Sequence, residues 1–222
     1  MTLAVMAGIA CVMVNAQETK SLSDYDAVRF YGIDFAPVKV VAAEETAGEF
    51  IAAFSEINRL LITEEDKYVA PLAARISKKI DYVNIDYALK NVGNIDADEL
   101  KINHTADPLT RQDLEFELQE LDIEPADGLG LVVMAGELNN GTDYGTFYYV
   151  FFDNQTMNII DIMPFKGKSG GMGLRNYWAR SFYRTIAEIN PSKFYSSKKK
   201  IKEGVTEGFQ AVKEKVTGKE SK

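Results

Sequence analysis

A chain of 222 residues with an apolar share of 46% is long enough to bury one good core, so a single domain is expected. Its 33 acidic residues outnumber 25 basic ones, a net charge of −8 that excludes non-specific nucleic-acid binding by the chain as a whole. With one cysteine and one histidine, it has little from which to build a thiolate nucleophile, a disulfide or a Cys/His zinc site.

Residues 1–16 carry no charge, and Val14-Asn15-Ala16 suits a signal peptidase. A helix of that length spans about 24 Å, short of a hydrocarbon core of about 30 Å. The expectation is a signal peptide over 1–16, cleavage near Ala16, and a periplasmic or secreted product. Cys11 lies inside this segment, and lipid anchoring there is the alternative. Cleavage would leave a cysteine-free mature chain. A polar leader is expected over 17–27.

From Val28 to Val41 the chain is rich in Val, Ile and Phe but includes Pro37, which predicts a strand pair or a bent strand. Phe50, Phe54, Ile57 and Leu61 mark an amphipathic helix over 46–62. Val69, Leu72, Ala73 and Ile76 mark another over 66–79, with Pro71 placed in its first turn. The alternation of Tyr82 to Leu89 predicts a half-buried strand. Residues 94–109 are polar and irregular, reading as a loop with a short turn. Thr110-Arg111-Gln112-Asp113 resembles a capping box, and Leu114, Leu118 and Leu121 supply the stripe of the helix it opens. Leu129 to Leu138 is a continuous apolar run, as in a central strand buried on both faces. Residues 146–152 and 157–165 form a hairpin around Asp153-Asn154-Gln155-Thr156. A glycine-rich joint, Gly167 to Gly173, leads into a helix running to Ile189, which Pro191 ends. Beyond it the tail holds eight lysines against four glutamates from Lys198 onward, leaving about −12 on the rest.

The predicted fold class is α/β (α+β): a mixed sheet of about five strands with a C-terminal antiparallel hairpin, covered by three to four helices. The domain occupies 28–192, and a basic amphipathic or disordered tail occupies 193–222.

The central strand Gly130-Leu131-Val132-Val133-Met134-Ala135-Gly136 precedes a strand ending Phe151-Phe152-Asp153, then Thr156, a return strand, the glycine joint and a helix. This succession is similar to the small α/β domains of bacterial envelope proteins of the CsgG and LpoB type and to the N-terminal domain of TolB. There the residue after the threonine is typically Gly; here it is Met157. The run from Gly173 to Phe182 also resembles uncharacterised exported proteins of gut-type Gram-negative bacteria. The resemblance implies a non-enzymatic domain that binds other envelope components, and it supplies no catalytic residue.

Gly167-Lys168-Ser169 echoes the end of a phosphate-binding loop, yet Ile162 stands where that motif needs its first Gly, and a hairpin return precedes it. Lys168, Ser169, Gly170 and Gly171 remain candidates for holding an anion near a helix N-terminus; the other reading is that the glycines simply allow a sharp turn and close packing. His104 lies in a polar loop, and Asp96, Asp98 and Glu99 read as a solvated turn. No metal or cofactor is expected. Tyr148, Tyr149 and Phe151 sit on a strand apolar on both faces, and are interaction candidates if one face is left open and core residues if it is covered; Trp178, with Tyr177, reads as a core anchor first and an interaction candidate second.

The expected function is that of an exported envelope module that binds or assembles with other envelope proteins, without catalysis and without nucleic acid. The alternatives are a hydrolase of envelope polymers using carboxylates alone and a protein resting weakly on a membrane surface through 198–222.

Overall fold

The computed structural model describes residues 20–194; the expected signal peptide over 1–16 with Cys11, and the basic tail from Lys198, lie outside the described residues. Seven strands form one sheet: β1 (Ala27–Asp34), β2 (Lys39–Val41), β3 (Lys79–Val83), β4 (Lys101–Ile102), β5 (Leu129–Asn139), β6 (Tyr144–Asp153) and β7 (Ile159–Lys168). Six helices accompany them: α1 (Ala47–Thr63), α2 (Glu65–Ile76), α3 (Asp86–Val92), α4 (Ala97–Leu100), α5 (Arg111–Glu120) and α6 (Leu174–Ile186). The class is the mixed α/β fold expected, with more elements than predicted because two strands and one helix are very short.

β5 is the spine. β1 lies parallel to its first half and β2 parallel to its second half, so 28–41 is one bent strand in two pieces. β3 and β4 extend these pieces outward, also in parallel. On its other side β5 pairs antiparallel with β6, and β6 with β7. The order reflects connection length: the parallel strands are joined by helical crossovers, and β5–β6–β7 by tight turns.

Alternation divides the apolar side chains between two layers. Phe147, Tyr149 and Phe151 of β6, with Leu131 and Val133 of β5, face the main core under α1, α2 and α6. Tyr148, Val150 and Phe152, with Val132 and Met134, face a second, smaller core closed by Leu114, Leu118 and Leu121 at α5. β5 and the middle of β6 are therefore buried on both sides, as their unbroken apolar runs require.

Local signals set the helix ends. Thr46 and Glu49 form a capping box on α1, and Thr110 and Asp113 form one on α5. Where the β1–β5 register shifts between Phe30 and Ile33, Asn58 of α1 restores the lost pairing: it accepts from the Ile33 N–H at 2.8 Å and donates to the Ile33 C=O at 2.8 Å.

Several expectations change. The strand predicted over 82–89 ends at Val83; the Asn84 side chain accepts from the Asp86 N–H, and α3 begins there. Ile85, Ala88 and Val92 then reach the core at helical spacing, so the alternation was a short coincidence. Pro71 lies in the second turn of α2, not the first, and leaves the Lys67 carbonyl without its helical donor. α6 stops at Ile186, and Pro191 opens a short 3-10 turn instead of closing the helix. The chain from Lys20 is no loose leader: Leu22 is buried, and Tyr25 and Lys20 both bond Asp153. At the other end Phe194 packs edge-on against Phe151.

Candidate functional site

The glycine joint connects β7 to α6 by a sharp turn that fixes how the helix lies on the sheet. The Ser169 N–H and hydroxyl both donate to the Asp143 C=O, at 2.7 and 2.9 Å, and the Gly170 N–H donates to the Tyr177 C=O. Gly173, at φ +80°, is the N-cap and offers no side chain to the helix end. Of the four anion candidates, Ser169 is therefore buried with its donors committed, and Gly170 has given up its N–H. Lys168 is exposed, and Gly170 and Gly171 line a shallow hollow of about 400 Å³ beside Lys67, Arg180 and Tyr183. The preceding strand is antiparallel, so the loop is not of the phosphate-binding type that follows a parallel strand.

That hollow is part of a larger face. An adjoining groove of about 860 Å³ runs between the end of β7 and helices α2 and α6, and Tyr183 belongs to both. Arg75 of α2, Lys166 and Lys168 of β7, and Arg184 of α6 line it, with Glu188 the one acid. Tyr144 and Tyr183 are about two-fifths exposed at its rim. Arg75, Lys166, Lys168, Arg180 and Arg184 have no acidic partner among the described residues. Arg184 instead donates to the backbone carbonyls of Lys168 at 2.9 Å and Ser169 at 3.4 Å. In a domain with an acidic surplus, this face concentrates uncompensated positive charge.

Part of this face is written locally in the sequence. Between Asp161 and Glu188 stand five cations, Lys166, Lys168, Arg175, Arg180 and Arg184, and no acid. Arg75 lies far away in sequence, and only the packing of α2 beside α6 brings it in.

The four interaction candidates are core residues. Tyr149, fully enclosed, shares a hydrogen bond of 2.7 Å with Thr185 of α6. Phe151 contacts Phe194, and Trp178 is buried edge-on against Tyr177. Tyr148 is 7% exposed and accepts from the Leu109 N–H at 3.0 Å. Tyr149, Phe151 and Trp178 thus belong to the main core and Tyr148 to the smaller one, where it borders only the cleft lined by residues 105–108.

Two carboxylates are displaced toward neutrality. Asp34, at the carboxyl end of β1, is wholly buried; burial raises it to about 6, against the Ala36 N–H and Asn91, and its Oδ2 has no partner. Burial, then the charges of Asp34, Glu120 and Asp113, raises Glu117 on α5 to about 7. A carboxylate hydrolase would need such a pair beside a cleft, but neither residue lines the groove, the hollow, or the cleft of about 540 Å³ beside Tyr148. His104 is exposed, its ring nitrogen 3.2 Å from the Asn103 side chain. Among the described residues no group of three His, Cys, Asp or Glu is arranged to hold a metal ion, and no helix is long and apolar enough to cross a membrane.

No protein-family model, curated protein or solved structure matches this chain.

Proposed function

We propose that this protein is an exported, non-catalytic binding module of the cell envelope, and that it binds an anionic partner through the cationic groove between β7, α2 and α6. The observation that carries the reading is the gathering of Arg75, Lys166, Lys168 and Arg184 around one open groove, rimmed by two exposed tyrosines, on an acidic domain. Uncompensated cations at a concave surface attract anions and speed their association. Tyrosine adds contact area at little entropic cost. The carboxylate-hydrolase reading would rest on Asp34 and Glu117, and neither lines the groove, the hollow or the cleft beside Tyr148. The membrane-surface reading rests on 198–222, outside the described residues.

Titration of the full chain with fluorescently labelled polyphosphate tests the groove. Binding should weaken steeply with added salt and fall by about tenfold or more in the Lys166→Glu/Arg75→Glu double variant. Both positions are exposed, so the fold should survive the change. No binding at low salt, or equal binding by the variant, overturns the reading.

A further inference from the structure

β7 pairs only with β6, so its outer edge has no strand partner among the described residues. Its backbone phase can be read from two anchors. The Ser169 N–H donates to the Asp143 C=O. The Ser181 hydroxyl bridges the Gly145 N–H, at 3.1 Å, and the Gly167 C=O, at 2.6 Å. The odd-numbered residues from 161 to 169 therefore turn their backbone groups inward to β6, and alternation turns those of Ile162, Pro164, Lys166 and Lys168 outward.

The outward edge is closed at both ends and open in the middle. The Ile162 N–H is taken by the Asp161 side chain at 2.9 Å, and the Lys168 C=O is taken by Arg184. Pro164 has no N–H to leave unpaired, which is where an edge strand tolerates proline. What remains outward is the C=O of Ile162 and of Pro164, both groups of Lys166 and the N–H of Lys168. These suffice for one short run of pairing centred on Lys166.

Charge selects what can use it. Lys166 and Lys168 share a face with Pro164, opposite Thr146 and Tyr144, while Arg75 and Arg184 stand in the groove against α2 and α6. A strand added here would find cations on both faces. Lysine and proline on an edge deter indiscriminate pairing, and here they repel basic strands while leaving an acidic one attracted.

We propose that the Pro164–Lys168 edge of β7 accepts an extended acidic polypeptide segment as an added strand, its carboxylates directed to Lys166 and Lys168 on one face and to Arg75 and Arg184 on the other. This rests on the anionic-groove reading and names the partner's class. Strand addition draws affinity from main-chain hydrogen bonds and specificity from alternate side chains.

The test uses the full chain and a labelled peptide alternating Glu and Val, two analogues of it N-methylated on alternate amides in opposite phase, and polyphosphate. The peptide should bind, and one N-methylated analogue should lose about tenfold or more because its ladder donors are gone. Amide exchange at Lys166 and Lys168 should slow by about tenfold with the peptide and stay unchanged with polyphosphate. If both analogues bind like the parent and exchange is unaltered, strand addition is overturned and the anionic groove stands. If polyphosphate binds and the peptide does not, the result is the same. If neither binds, both proposals fall. Concentration-dependent protection of these amides without peptide would mean that a second copy of the chain occupies the edge, and that also overturns the proposal.

Discussion

Asp153 ties the start of the described chain to the β6–β7 turn. One oxygen accepts from Lys20 Nζ at 2.8 Å and Tyr25 OH at 2.9 Å; the other accepts from the N–H groups of Gln155 and Thr156. Burial pushes its carboxyl up, but the bonds from Lys20, Tyr25 and Thr156 outweigh this and bring it down to about 2, from 3.8. A lowered carboxylate stabilises the fold above its unfolded value and loses that contribution as pH falls through its folded value. Asp153→Asn should therefore cost about 2 kcal/mol at pH 7, roughly 4–8 °C in melting temperature. The variant should also show a shallower loss of stability between pH 4 and 2, checked by thermal melts across that range. The turn itself was legible as Asp-Asn-Gln-Thr; the partners were not, since Tyr25 lies 128 residues away.

At the scale of elements, the contact between β7 and α6 decides the architecture around the groove. A Cβ on Gly167 would lie 1.9 Å from the backbone oxygen of Ser181, so only glycine lets the helix sit this close. Gly167→Ala should force α6 away and cost about 3 kcal/mol or more. Gly48, in the first turn of α1, meets nothing within 4 Å, and Gly48→Ala should be neutral to stabilising, by about 0.5–1 kcal/mol. Chemical denaturation of both variants checks the contrast, and equal effects would show that the β7–α6 approach is not tight. α1 and α5 were readable because their boxes and stripes are local. α3 was misread because its short segment fits both periods until Asn84 turns the chain.

For the whole molecule, the titrating groups divide by sign. Asp34, raised to about 6, and Glu117, raised to about 7, bind protons more readily folded than unfolded, so they destabilise the fold increasingly as pH climbs from about 4 through 7. Asp153, and the N-terminal helix carboxylates Glu49 and Asp113, also lowered by their hydrogen bonds, act the other way at low pH. Stability should peak near pH 5, and the Asp34→Asn/Glu117→Gln double variant should flatten the decline from pH 5 to 7. Melting temperatures measured from pH 3 to 8 check this; a maximum at pH 7 or above in the parent would contradict it.

The sequence by itself determined the class of fold, the central strand, the terminal hairpin and most helix starts, because periodicity, caps and turns act over a few residues. It also held the acid-free stretch from Ile162 to Ala187, the raw material of the groove. Only the tertiary structure decided that both faces of β6 are covered, which made Tyr148, Tyr149 and Phe151 core, and that the inner face of α6 buries Trp178. It also brought Arg75 into one groove with Lys168 and left the outer edge of β7 without a strand partner among the described residues, since burial and edge position depend on what packs alongside, which no local pattern records.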